Sequence, residues 1–327
     1  RALEFYSDWL GAYPYQQMSV VSAPLSAGGG MEYPMVAQIG YMEDSASLDL
    51  VIAHEIGHTW LYGILANNER AHPWMDEGLN SFIEAQYTAK YQPAYREAYL
   101  PREYTTRASM DQVDALQHAL HFSNTLQPPA TSPESQQQAQ YFFSAYTMPA
   151  QGLQMMMGME GEEVMKKMFR QYFADHQFSH VTPAHLSNSF EQACDCDLSW
   201  YFDGWIHHAH EIDYRISHFD REKKEVTFVN HGPADIPLRF NTYKDGQQIR
   251  EHTLNGFKGE KTIHLDHRAD EIHLYEGFMG VNRHWSSNIN PRSLIPRFGF
   301  MPKIESYRSP TIGITPAFGY NLADGFM

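Results

Sequence analysis

The segment His54-Glu55-Ile56-Gly57-His58, with Glu77 following after 18 intervening residues, constrains this chain more than any other feature. Residues four apart lie on one face of an α-helix, about one turn apart. Imidazoles at 54 and 58 can therefore address one metal ion. Glu55 stands beside them, close enough to handle the proton of a water at that ion. Glu77 can arrive from a second helix as an anionic third ligand. Three protein ligands with a fourth position left to water is the pattern of a catalytic zinc rather than a structural one. The flanks agree. Leu48 to Ala53 lead in with a mostly apolar run, and Thr59-Trp60-Leu61-Tyr62 continue the helical pattern up to Gly63. His72-Pro73 ends a loop, and a second helix can start before Glu77. The spacing predicts helices over about 47–62 and 76–91. The competing reading is a buried, hydrogen-bonded histidine pair on an amphipathic helix.

Length and charge narrow the rest. A chain of 327 residues exceeds one ordinary core, so two or three domains are expected. Its 24 basic and 39 acidic residues leave a net charge of -15, with no basic footprint for nucleic acid. No run of 18 apolar residues occurs, so no transmembrane helix is predicted. The two cysteines, Cys194 and Cys196, are only two apart, where a disulfide would be strained, and two free thiols are expected. The chain opens Arg1-Ala2-Leu3-Glu4, which reads as the middle of a helix and as a fragment of a larger protein.

The pattern predicts a helix over residues 1–12, strands at Met18–Ala23 and Val36–Ile39, and a flexible Gly28-Gly29-Gly30 run between them. That glycine run lacks the lysine of a phosphate-binding loop. Residues 92–135 are polar and proline-broken and read as loop. Helices are expected over Tyr141–Met159, with Pro149 in a first turn, over Gly161–Asp175, after the N-cap Thr182, and over Leu198–Ile206. From Asp213 the sequence alternates in short segments beginning at Tyr214, Glu225, Leu238, Lys261 and Glu271, with turns at Asp245-Gly246 and Asn255-Gly256. This is the pattern of a small β-sandwich. Residues 281–327 have no clear period and read as an extended tail or linker. The fold class is multidomain α+β: a mainly helical domain over 1–212, then a β-sandwich over 213–280.

Four ordered motifs carry a family resemblance. H-E-x-x-H with Glu77-Gly78 is one. Gly29-Gly30-Met31-Glu32-Tyr33 resembles a G-[AG]-M-E-N segment, with Glu32 lying 22 positions before His54. Tyr146-Thr147-Met148-Pro149-Ala150 resembles Y-x-x-[GP]-A, and Leu198 to Trp205 resembles an aromatic segment that closes a catalytic domain. Together they resemble the M1 zinc aminopeptidases, gluzincins with a thermolysin-like catalytic domain. The resemblance spans about residues 1–215. It implies a single zinc ion held by His54, His58 and Glu77, with Glu55 as general base and Tyr146 as donor to the oxyanion. Glu32 would bind the free α-amine, and Gly29, Gly30 and Met31 would line the substrate main chain. Peptides with a free N-terminus are the implied substrates. Tyr33 stands where the family has Asn, which bears on the first specificity pocket.

Other readings stay open. Tyr141 rivals Tyr146. Asn80, Ser81 or Glu84 would orient the zinc histidines. His207-His208-Ala209-His210-Glu211 looks like a metal cluster but reads as surface. The resemblance also implies an N-terminal β-rich domain packed on the catalytic one, which this chain lacks. The chain could then be a catalytically impaired peptide-binding module. A zinc endopeptidase is the third reading. The tail from Arg297 resembles a linker into a membrane-associated region of some bacterial members, which favours an exported, envelope-associated protein.

Overall fold

Aromatic side chains organise the helical part of the chain, seen here in a computed structural model. Residues 1–25, 29–93, 126–136, 138–208 and 212–274 are described, with five short strands between 289 and 326. Helix α1 (Ala2–Trp9) buries Phe5, Tyr6 and Trp9 on one face. Trp9 meets Phe82 and Phe169 edge-on at 5.6 and 6.0 Å, and Tyr6 stacks on Trp60. Such pairs add about 0.5–1.5 kcal/mol each beyond the area they bury. They bind α1 to the turn that follows α2 (Ser45–Gly57), to α3 (Leu79–Tyr91) and to α6 (Glu162–His176).

Strands β1 (Ser19–Ser22), β2 (Gly30–Met31) and β3 (Val36–Ile39) form a sheet in the order β1-β3-β2. Two of these strands match the alternation in the sequence. The two-residue β2 was too short to read there. It pairs with β3 alone among the described residues, so it is an edge strand. A parallel pair, β4 (Leu65–Asn67) with β5 (Ser179–Val181), ties the site helices to the far end of the helical region.

Helix α2 is shorter than its pattern predicts. Asp44 caps its start by accepting from the backbone N–H groups of Ala46 and Ser47. It ends at Gly57, not near Gly63. The chain then tightens, with Gly63 N–H donating to His58 O, and Tyr62 takes φ of 91°. Thr59 to Tyr62 are therefore turn, although their side chains keep helical spacing.

A continuous helical rod follows residue 138: α4 (Gln138–Phe142), a π-helical turn (Phe143–Thr147) and α5 (Met148–Glu160). Pro149 is the second residue of α5, so the rod continues through it with one backbone N–H fewer. The expected aromatic helix is a π-helical segment, Trp200–His207. Its Trp205 Nε1 donates to Met148 O at 2.7 Å and its Tyr201 hydroxyl to Pro149 O. Gly152 leaves room for both rings, because a Cβ there would meet Tyr201 at 2.5 Å.

Helix α7 (Pro183–Cys194) begins with a capping box between Thr182 and His185. At its other end the expectation of two free thiols is overturned: Cys194 and Cys196 form a disulfide. Asp195 between them adopts a left-handed conformation (φ 56°, ψ 43°). That turn brings the two Cα atoms to 5.2 Å, within disulfide range. An extended spacer would have held them apart.

Beyond Asp213 the elements of the described residues are all strands. β6 (Tyr214–Asp220), β7 (Glu225–Asn230) and β10 (Gly259–His264) form one sheet, in the order β10-β7-β6. β8 (Leu238–Lys244), β9 (Gln247–Leu254), β11 (Glu271–Leu274) and β12 (Ile289–Asn290) form another, in the order β12-β11-β8-β9. Phe228 of the first sheet and Phe240 of the second meet at 4.9 Å. Asp245 and Gly246 both have positive φ and make the two-residue hairpin between β8 and β9. The strand after that turn was missed, because Gln247 to Glu251 are polar but for an exposed Ile249 and lie on an edge. The loop expected over 92–135 lies outside the described residues from 94 to 125, as does most of the tail after 280. The chain is thus of mixed helix and strand.

Candidate metal and catalytic centre

His54 sits in the last turn of α2 and His58 is the first residue past its end. Their rings lie 4.7 Å apart with Nε2 atoms at 3.0 Å. Glu77 comes from the π-helical turn Trp74–Gly78 that opens α3. Its Oε2 stands 3.2 Å from His54 Nε2 and 3.3 Å from His58 Nε2. The other carboxylate oxygen accepts the Tyr146 hydroxyl at 2.6 Å. Tyr146 rides on the second π-helical turn, Phe143–Thr147. Wide turns of this kind recur at functional sites because they re-aim side chains within a helix.

The remaining ring nitrogens also meet carboxylates. His54 Nδ1 lies 2.9 Å from Glu84, and His58 Nδ1 lies 2.6 Å from Asp76. With Nδ1 donating outward, both Nε2 lone pairs turn toward Glu77 Oε2. Three acceptors then converge with no donor among them, an arrangement a cation relieves. The distances fit: a tetrahedral zinc site with bonds of about 2.1 Å has ligand–ligand edges of about 3.4 Å. Without a cation, protons take its place. Burial alone would lower the His54 pKa, but hydrogen bonds to Glu77 and Glu84 outweigh it and hold the ring at about 10. Burial opposes His58 too, and Asp76 and Glu77 raise it nonetheless. Glu77 is pulled down against burial by the same two rings.

Glu55 points elsewhere, toward the edge strand β2. Its carboxylate lies where a Cβ on Gly30 would be, 2.3 Å from Oε1. The absent side chain of Gly30 is therefore what lets β2 pass over Glu55. Burial lifts the Glu55 carboxyl to about 7, against the pull of His54 and His58. It is poised to exchange a proton near neutral pH. Gly29 and Met31 flank Gly30 at this edge; Gly29 has φ of 70° and Met31 is exposed.

Glu32 joins Glu69 and Asp76 in a group of carboxylates whose oxygens lie within 4.8 Å of one another. Burial raises the Glu69 pKa, and the charges of Asp76 and Glu32 raise it further. Tyr146 keeps its proton, because burial and Glu77 push its pKa far up. Tyr141, its rival, lies 6.2 Å away ring to ring and is pushed up to about 12 by burial and Glu77. Tyr146 is the one that reaches Glu77.

Of the three candidates to orient the histidines, Glu84 meets the His54 ring and Asn80 donates to His54 O at 2.8 Å. Tyr6 in turn donates to Asn80 Oδ1. Asp76 and Glu69 were not anticipated. The signal for Asp76 was present: a charged residue inside the apolar Trp74-Met75 turn needs a buried partner. His207 and His208 are exposed and join no metal-type group among the described residues, and 209–211 lie outside them.

The sequence matches a known family. The sequence profile of the peptidase family M1 domain fits residues 1–205. The chain belongs to peptidase family M1. Among M1 relatives, aminopeptidase N of Lactobacillus helveticus is 22% identical over 220 residues, covering 63% of this chain and 25% of that protein. Endoplasmic reticulum aminopeptidase 1 of Homo sapiens is 24% identical over 279 residues, covering 79% and 28%. The chain thus spans about a quarter of the length of these relatives. The crystal structure of Legionella pneumophila aminopeptidase A in complex with aspartic acid aligns with a TM-score of 0.64 at 15% identity, over 86% of this chain and 33% of that one. That likeness is one of fold. The M1 match takes in the whole His54–Tyr146 centre and ends before β6.

Proposed function

We propose that this protein is a zinc-dependent aminopeptidase that removes N-terminal residues from peptides. Residues 1–212 would be its thermolysin-like catalytic domain, residues 213–280 a β-sandwich appended to it, and 281–327 a linker. The observation that carries the reading is the triangle of His54 Nε2, His58 Nε2 and Glu77 Oε2, with edges of 3.0 to 3.3 Å. These three residues would hold one zinc ion. Zinc bound there supplies Lewis acidity, acidifying a water and polarising the scissile carbonyl.

The chain's own groups do the rest. Glu55, near neutral in pKa, takes the proton of the attacking water and delivers it to the leaving amine. Tyr146, held protonated, donates to the oxygen on which charge develops. Glu32 holds the substrate ammonium, with Glu69 adding negative potential beside it. Anchoring the ammonium fixes the register, so only the first peptide bond reaches the centre. The edge of β2, at Gly30 and Met31 with Gly29 just before them, would offer backbone groups to the substrate main chain.

The test is zinc content together with hydrolysis of aminoacyl anilides and of the same compounds N-acetylated. One zinc per chain and cleavage of the free-amine series alone are expected. Cleavage of both series would make Glu32 no amine site and the protein an endopeptidase. A folded protein with neither zinc nor turnover would refute the reading.

A further inference from the structure

His54 and His58 differ in how their backbones are held. His54 lies inside α2, and its carbonyl also accepts from Asn80. His58 is the residue beyond the helix end: its N–H reaches His54 O at 3.3 Å, and its carbonyl accepts from Gly63 N–H in the turn that follows. A ring at a helix terminus needs a tether of its own. Asp76 supplies it at 2.6 Å, and both partners are almost fully buried, at 2% and 3% exposure. Glu84, behind His54, is the more open of the two carboxylates.

The π-helical turn Trp74–Gly78 explains how one short segment serves both sides of the same ring. In a regular helix, consecutive side chains diverge by about 100°. Here Asp76 reaches Nδ1 of His58 while its neighbour Glu77 reaches Nε2 of the same ring. The ring is gripped at both nitrogens from adjacent residues.

We propose that Asp76 is the positioning residue of the metal centre: it fixes the tautomer and aim of His58 and thereby sets how tightly zinc is kept. This rests on His54, His58 and Glu77 being the zinc ligands. A carboxylate behind an imidazole holds the ring with Nδ1 protonated and makes Nε2 a better electron donor. Asp76 also stands among Glu32 and Glu69, so an effect through the substrate amine is the rival role.

The experiment measures zinc affinity by chelator competition for the purified protein and for Asp76→Asn, Asp76→Ala and Glu84→Gln, with circular dichroism as the folding control. Losing a partner of this kind weakens metal binding about 10- to 100-fold. Asp76→Asn, which keeps an acceptor at the same place, is expected near the lower figure. Asp76→Ala is expected near the upper one, and Glu84→Gln below both. KM for free-amine substrates should hardly move once the variants are saturated with zinc. Parental zinc affinity in a folded Asp76→Asn and in Asp76→Ala overturns the proposal. So does a KM that rises while zinc affinity stays put, which would make Asp76 an amine-binding group. Both leave the metal reading intact, whereas a parent protein that takes up no zinc overturns the two together.

Discussion

Two histidine pairs in this molecule face opposite electrostatic fates. His54 and His58 lie between three carboxylates, and His54 is held at about 10 despite burial. His252 and His267 also stack, at 5.5 Å, on the β8–β9 side of the second sheet. There His252 is pressed against Phe240 at 4.6 Å, and Thr242 Oγ1 approaches both rings. Burial, and then the charges of His267 and Arg250, lower His252 to about 4. Two adjacent imidazoles are therefore not a metal site by virtue of being histidines. What makes one is the surplus of buried negative charge around the first pair, which calls for protons or a cation. Around the second stand Arg250, a hydroxyl and only an exposed carboxylate, Asp266, which pairs with both Arg250 and His267 at 2.6 Å.

The comparison breaks most easily at Glu55, which has no counterpart beside the sheet pair. Glu55→Gln should cut kcat by about 10,000-fold and leave zinc content unchanged. Steady-state kinetics beside metal analysis checks this, and loss of zinc from the variant would count against a purely catalytic role. Tyr146→Phe should lower kcat by about 100- to 1,000-fold with little change in KM, as for loss of one oxyanion donor. Gly30→Ala probes the same carboxylate indirectly. Its new Cβ would fall 2.3 Å from Glu55 Oε1, so the base must move, and a shift of about 1 Å costs about 100-fold in turnover. Zinc should again be retained.

How far the sequence led follows from the range of the forces involved. The histidine pentad and Glu77 were legible because a helix repeats every 3.6 residues and puts His54 and His58 on one face. Alternation gave most strands of the second half. It failed at β9, an edge strand with little to bury. The end of α2 was misread because side-chain spacing persists through Thr59–Tyr62 while the backbone turns. The disulfide was misjudged because its geometry depends on the backbone of one residue, Asp195, rather than on spacing. Asp76 was missed because a π-helical turn redirects it, and no periodicity announces such a turn. Local patterns located the ligands, and tertiary packing decided what stands behind them.

The smallest effect, and the sharpest on the comparison, is in stability against pH. His252 prefers to stay neutral when folded, so its pKa of about 4 lies below the 6.5 of an unfolded histidine. As pH falls through 6.5 toward 4, the unfolded chain binds the proton first, and the folded state loses stability over that window. His54 in the metal-free protein runs the other way. Its pKa of about 10 lies above 6.5, so its contribution is complete below 6.5 and is lost as pH rises toward 10. Thermal melts of chelator-treated protein across pH 4 to 10 should therefore carry both slopes. His252→Gln should flatten only the acid limb and His54→Gln only the alkaline one. Zinc should abolish the alkaline limb, because the ion replaces the protons that the carboxylates otherwise demand, while the acid limb set by the sheet pair stays as it was.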